Sequence, residues 1–280
     1  TSIKGALRSV LTKQAVNPNT KPGYKYFTES INEAFKNLNK GRKSDSDKTK
    51  YLDDEADEKV FGKTYDSPFR FISISDSNLQ EPDVLKVFEI KILNICDGEP
   101  KWFSRKINVT NPRKALSLYC EGIKEESKFL CTLILGEVSP YVLKESETKS
   151  PEMVMSFDAN ISQEDRKQRI RKHIRSFISS INEEIKEYIN NEISFFKKYS
   201  FHTKPITEFY SDLLENFKSL KENEFLLQVG FGTGMLSKTI LQYLDDNEKS
   251  KVAKISKHSY YGGIYPKTRR IVFENGYPKY

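Results

Sequence analysis

The stretch Leu226-Leu227-Gln228-Val229-Gly230-Phe231-Gly232-Thr233-Gly234-Met235-Leu236-Ser237-Lys238-Thr239 gathers the residue types best suited to holding an anion. Three glycines at alternate positions permit positive φ and let a backbone come close to a ligand. A helix beginning after them offers unpaired N–H groups to a phosphate. The expected unit is an apolar strand over 225–229, a glycine turn, and a helical stretch from Met235 to Leu244.

Other readings of the same segment separate on spacing. A P-loop needs Gly-Lys-Ser/Thr in immediate succession, and Lys238 comes four residues after Gly234. A G-x-G-x-x-G dinucleotide fingerprint places its third glycine where Met235 stands. The G-x-G-x-G pattern after a strand resembles the first motif of S-adenosylmethionine-dependent methyltransferases. Gln228 stands where that family carries an acid, and the stretch after Gly234 is short for the rest of such a fold. A tight turn that binds nothing is the plain structural alternative.

The remaining chemistry is sparse. His173, His202 and His258 have no Ser or Cys partner at a recognisable spacing, and a hydrogen-bonded or solvated role accounts for each. Asp66 and Asp76 flank one expected strand, where a cap or ion pair explains them without a metal. Cys96, Cys120 and Cys131 are odd in number and form no C-x-x-C pair, which argues against a disulfide framework or a zinc knuckle and fits a reducing compartment. No metal, cofactor or catalytic residue is therefore expected.

Hydrophobic periodicity supplies the elements that must position these groups. Ile3, Leu7, Val10 and Leu11 share a helical face at the very start, so a preceding segment is expected. Residues 17–25 read as turns and 39–58 as a charged loop. Strands are expected over Phe69–Ile74 and Val84–Leu93, and a hairpin over Leu116–Glu121 and Lys128–Leu135. Residues 144–160 read as a polar linker. Ser162 and Asp165 resemble a capping box opening a long amphipathic helix through Ile189, and a second helix begins near Pro205 and carries Phe209, Leu213, Phe217 and Leu220.

Composition bounds the class. With 280 residues, 37% hydrophobic and 12% aromatic, the chain can bury a core. No stretch approaches the roughly 18–20 apolar residues of a membrane span, so a soluble, cytoplasmic protein is expected. The net charge of +7 is unevenly laid out. Residues 1–50 carry eleven basic and four acidic side chains, residues 249–280 carry eight and one, and the middle is net acidic. Basic ends suit a phosphate-backbone partner, although Lys-rich ends also serve solubility. Arg166, Lys167, Arg169, Arg171, Lys172 and Arg175 add six cations within ten residues, suited to RNA, to a partner subunit or to solvent.

Four segments together resemble the RAMP superfamily of CRISPR proteins. The opening Thr1-Ser2-Ile3-Lys4-Gly5-Ala6-Leu7-Arg8 is similar to that family's "SSIKGALR" helix start. Asp66-Ser67-Pro68-Phe69-Arg70 through Ser75-Asp76-Ser77 resembles its "D-x-F-R…S-D-S" strand. Leu118-Tyr119-Cys120-Glu121 followed by Phe129–Leu135 resembles its "L-Y-x-E" hairpin. Gly230–Thr239 resembles its glycine-rich loop, in a form similar to the fifth subunit of type III-A (Csm) effector complexes.

The resemblance implies an α+β, ferredoxin-like (RRM-related) fold of two modules with a helical insertion: 1–150, a helical region 151–223, and 224–280. It implies a structural, non-enzymatic subunit that caps the backbone filament at the 3′ part of the CRISPR RNA and supports its maturation in antiviral defence. The implied partners are CRISPR RNA and other Csm subunits, namely the backbone RAMP subunit and the small subunit. Carried over by position, Ser2, Lys4 and Arg8 hold phosphates at the first helix. Gly230, Gly232 and Gly234 admit RNA, and Ser237, Lys238 and Thr239 donate to it. Lys267, Arg269 and Arg270 form a basic segment beyond. An ordinary solvated helix face is the alternative for Lys4 and Arg8.

Overall fold

The computed structural model describes residues 3–16, 23–39, 72–105, 107–135, 163–199, 204–230, 234–256 and 266–279. Ser2, Gly232 and all of Asp66–Arg70, His202 and His258 lie outside them, as do the expected loop over 40–58 and linker over 144–160.

A mixed α+β architecture results. The larger sheet has five strands: β2 (Leu85–Cys96), β3 (Glu99–Trp102), β4 (Leu118–Ile123), β6 (Thr268–Glu274) and β7 (Tyr277–Pro278). The twelve-residue β2 organises it. On one edge β2 pairs with β4 along its first half and with β3 at its end, and on the other edge its middle pairs with β6. All these pairings are antiparallel, and the sheet takes strands from both the 85–123 and the 268–278 stretches. β1 (Ile72–Ile74) pairs separately with β5 (Leu133–Leu135).

Two tight turns fix the hairpin registers. Asp97 and Gly98 have φ of 54° and 79°, and Asn275 and Gly276 have φ of 54° and 80°. Positive φ at both central residues matches the right-handed strand twist, and Asp-Gly and Asn-Gly are the pairs that tolerate it. These turns join β2 to β3 and β6 to β7.

The expected hairpin over 116–135 is not formed. Its first half is β4, which pairs with β2 over six residue pairs, and its second half is β5, which pairs with β1. The long β2 offers Leu118–Ile123 a ladder of its own, with Phe88 opposite Cys120 and Ile90 opposite Leu118. Meanwhile Asn78 holds the other segment to β1 by accepting from the Leu130 N–H at 2.8 Å.

The helices are α1 (Ile3–Val16), α2 (Gly23–Asn39), α3 (Gln163–Lys198), α4 (Lys204–Asn216) and α5 (Asp246–Ile255). On α3 the positions 181, 185, 188, 189, 193 and 196 are buried and recur at three- and four-residue spacing, which is the stripe an amphipathic helix turns to a core. The sheet closes over the far end of this stripe, where Leu93, Trp102, Ile271 and Phe273 pack with Phe196 and Ile206. Nearer its middle, Leu7 and Val10 of α1 join Ile181, Ile185 and Ile189. α2 and α5 meet around Ile31, Val252 and Ala253, and α5 opens with a reciprocal capping box between Asp245 and Glu248.

Candidate nucleic-acid interface

The glycine segment is positioned differently from the expected strand, turn and helix. No strand forms over 224–229 and no α-helix over 235–244. The apolar run instead lies along α3, with Leu226, Leu227 and Leu236 packed on the cluster around Ile181 and Ile185. After Gly234 the chain makes turns and a four-residue 3-10 helix, Ile240–Tyr243. The polar side chains of this stretch bond to its own backbone. Ser237 Oγ donates to the Gly234 carbonyl at 3.2 Å and Thr239 Oγ1 to the Met235 carbonyl at 2.7 Å, while Thr239 caps the Leu241 N–H. Such local bonds compete with helix formation. A phosphate site built on an α-helix N-terminus is thus absent here, and so is the strand–turn–helix context that a dinucleotide or S-adenosylmethionine site uses.

The described ends of the glycine segment each have an open side. Gly230 has φ of 101° and Gly234 of 84°, a conformation that side chains rarely adopt. A Cβ built on either glycine meets nothing within 4 Å, so both backbones border free space. Lys238 Nζ reaches back to the Gly230 carbonyl at 3.4 Å, placing its cation across the turn.

Buried polar groups of α3 hold the surroundings. Asn182 Nδ2 donates to the Glu224 carbonyl at 3.0 Å, and its Oδ1 accepts from the Leu226 N–H at 3.2 Å. One side chain thereby satisfies the incoming backbone as a neighbouring strand would. Beyond the turn, Glu184 accepts from Gln242 Nε2 at 2.6 Å and from the Tyr243 hydroxyl at 2.7 Å. Burial raises the Glu184 carboxyl above its usual range, against these hydrogen bonds and the nearby Lys13 charge. Tyr188 accepts from Tyr210 and Gln228, and burial pushes its phenol up to about 12. The Gln228 Oε1 is buried without a hydrogen-bond partner.

The first helix reaches the same place. Lys13, 1% exposed, directs Nζ to Gln242 Oε1 at 3.5 Å and lies 5.2 Å from the Tyr188 ring centroid. Burial lowers its pKa to about 8, opposed by Glu184, Glu187 and Glu192. On α1, Arg8 is exposed and Lys4 half-buried. The expected α1 and glycine-turn groups therefore belong to adjacent elements tied to one stretch of α3.

The third expected segment divides. Along β6, Arg270 is exposed, whereas Arg269 shares the core-facing side with Ile271 and Phe273. Arg269 forms a bidentate pair with Glu192 and stacks over Phe195, its guanidinium 4.1 Å from the ring centroid. It therefore joins β6 to α3, and the exposed Arg270 carries the strand's outward charge, while Lys267 just before the strand is half-buried. Glu192 stands eight residues beyond Glu184, about 12 Å along the helix.

Sequence reasoning missed Asn182, Glu184 and Glu192. The signal was legible for the two acids, which fall at helical spacing within the apolar stripe, where an unpartnered carboxylate has no place. The Arg166 to Arg175 cluster and His173 lie on α3 but outside the described side chains. Among the described residues no group of three or more His, Cys, Asp or Glu could hold a metal ion, and no helix is long and apolar enough to cross a membrane.

A family model described as the RAMP superfamily matches residues 1–255. A chain in the cryo-EM structure of a Csm–crRNA–target RNA ternary complex of a type III-A CRISPR-Cas system is similar at 16% identity, over 99% of this chain and 69% of that one, with a TM-score of 0.48. No curated protein matches.

Proposed function

The chain belongs to the RAMP superfamily, and from that premise we propose that it is a CRISPR RNA-binding structural subunit of a type III-A interference complex. In this reading it caps the backbone filament at the 3′ part of the CRISPR RNA, supports maturation of that RNA, and takes no catalytic part in target cleavage. Its partners are the CRISPR RNA, the backbone RAMP subunit and the small subunit. The form of Gly230–Thr239, similar to the fifth subunit of type III-A complexes, supports the type III-A assignment.

The observation that carries RNA binding is the pair of open, positive-φ glycines, Gly230 and Gly234, with Lys238 Nζ on the Gly230 carbonyl, beside α1 with its exposed Arg8. Positive-φ glycines let a ligand approach the backbone closely, and a cation next to them can track a phosphate. Lys267 and the exposed Arg270 extend the cationic surface along the sheet.

The test is binding of a labelled, single-stranded CRISPR-repeat RNA across a salt series. Wild type is compared with Lys238→Ala combined with Arg270→Ala, leaving Arg269 intact because it pairs with Glu192. Wild type should bind with a log–log salt slope of about −0.7 per phosphate neutralised, and the double variant should bind more weakly with a slope shallower by about 1–2. A wild-type protein without salt-dependent affinity overturns the reading.

A further inference from the structure

We infer that the outward face of the larger sheet is a stacking platform for RNA bases, with the Phe88 and Phe103 rings as the base-contacting groups and Arg270 as the cation at its rim. The inference deepens the RNA-binding reading above and rests on it, but its aromatic residues are separate from the glycine segment.

Residues directly opposite each other in an antiparallel ladder point to the same side of the sheet. Leu93 faces Trp102 and Arg269 across its two ladders, and this side packs on Phe196 and Ile206. The alternate residues of β2, namely Phe88, Ile90 and Ile92, therefore point the other way. With them go their partners Cys120 and Leu118 on β4 and Val272 and Arg270 on β6. Phe103 prolongs the ladder by donating its N–H to the Ile92 carbonyl at 2.8 Å. Alternation after the core-facing Trp102 turns the Phe103 ring outward, and it is 39% exposed where Trp102 is 1%.

An antiparallel sheet with one solvated face alternates apolar and polar residues. β2 does not: Phe88, Ile90 and Ile92 line its outward side half-buried, and Leu118 beside them is 41% exposed. None of these belongs to the cluster that packs on the opposite side of the sheet. The outward face thus has the composition of a surface that is covered in use.

Two features select RNA as what covers it. The first is Gly122: a Cβ there would lie 2.9 Å from the Phe88 ring, so the missing side chain lets the ring lie over the β4 backbone. Lys86 Nζ stands 5.5 Å from that ring's centroid and is held by Glu274 at 2.9 Å. The second is Arg270, exposed and directly opposite Ile92, which sets a guanidinium at the edge of the apolar strip. A guanidinium in that place can pair with a phosphate or stack on a base. Rings bordered by a cation match single-stranded RNA, whose bases bring π-faces and whose backbone brings negative charge.

The experiment measures binding of the labelled repeat RNA to the full chain across the same salt series, for wild type, Phe88→Leu, Phe103→Leu and Phe88→Tyr. Leucine keeps the apolar bulk and removes the ring. Each leucine variant should bind about fivefold more weakly or worse, with the salt slope unchanged, because a stacked base releases no counterion. Phe88→Tyr keeps the ring and should bind as wild type does. Emission from Trp102, on the opposite face, verifies that each variant is folded. An abasic strand of the same length gives a reading that depends on no variant: wild type should bind it more weakly than the repeat RNA, and the leucine substitutions should not change its affinity.

Wild-type affinity in both leucine variants, a slope flattened by them, or equal binding of the abasic strand and the repeat RNA by wild type overturns the platform. Leucine variants that bind RNA normally yet no longer assemble with a partner subunit make the face a protein-docking surface and overturn it too. A wild type without salt-dependent RNA affinity removes the RNA-binding reading together with the platform, whereas any of the preceding results, obtained with a wild type that binds, removes the platform alone.

Discussion

Arg269 and Glu192 meet in a bidentate ion pair, Nε to Oε2 at 2.7 Å and Nη2 to Oε1 at 2.8 Å, with the carboxylate side chain 1% exposed. The pair spans from β6 to α3, and two further bonds from Arg269 Nη1, to the Pro266 and Thr268 carbonyls, hold the start of β6. A buried pair of this kind contributes little net stability over an apolar replacement, yet breaking it strands a charge. Glu192→Ala should therefore destabilise by about 3–5 kcal/mol in urea unfolding. Replacing both residues with methionine should recover much of that loss. A single variant as stable as wild type contradicts the pairing.

Lys13 gives the protein a pH dependence above neutrality. Its folded pKa, near 8, lies below the ordinary lysine value of 10.5, because burial disfavours the ammonium. Between those values the unfolded chain binds the extra proton, so stability from this group rises as pH increases from about 8 towards 10. Over that interval the gain is about 2 kcal/mol. Lys13→Met should abolish the rise, measured as urea midpoints at pH 7.5, 8.5 and 9.5. Equal slopes in the two proteins place the lysine in water.

The sole tryptophan, Trp102, is 1% exposed and meets Phe273 edge-on at 5.1 Å. It reports on the junction between β3 and β6. Phe273→Ala should cost about 3–5 kcal/mol and shift native emission to longer wavelength. Emission unchanged by the substitution would sink the contact.

The glycines flanking the turn separate strain from crowding. An alanine at Gly230 meets no atom, but it must hold φ near 101°. Gly230→Ala should cost about 1–2 kcal/mol in unfolding experiments and reduce RNA affinity. A neutral result in both assays shows that the backbone there can relax.

Much of this arrangement was legible in the sequence. The β-branched and aromatic series of 84–93 forms β2, and the isoleucine periodicity after residue 170 lies on α3. The Pro205 helix forms from Lys204 but ends at Asn216, short of Leu220. α2 escaped notice because it buries few large residues, Phe27 and Ile31 among them. β6 was hidden by its arginines: read as a basic segment, Thr268–Glu274 conceals an alternation in which Arg269, Ile271 and Phe273 share the inner face. The Asn275-Gly276 pair that ends it was the available clue.

The glycine segment shows where local pattern loses to tertiary context. Apolar run, glycines and apolar run read as strand, turn and helix. Whether such a run becomes a strand depends on a neighbouring strand being present, and here Asn182 supplies those bonds from a helix. Ser237 and Thr239 direct their hydroxyls to carbonyls of the same stretch. These partners lie about forty to sixty positions away or are set by rotamers, and periodicity records neither.

The pairing of β2 with β6 also imposes an order in time. Glu89 faces Phe273 and Asn94 faces Thr268, so roughly 180 residues must leave the ribosome between the two strands. At about 5–20 residues per second that is on the order of 10–40 s. During this interval β3 and β4 can already line one edge of β2, while Leu93 and Ile95 wait without their final cover. The nascent chain therefore carries an open strand edge and an apolar face throughout that interval.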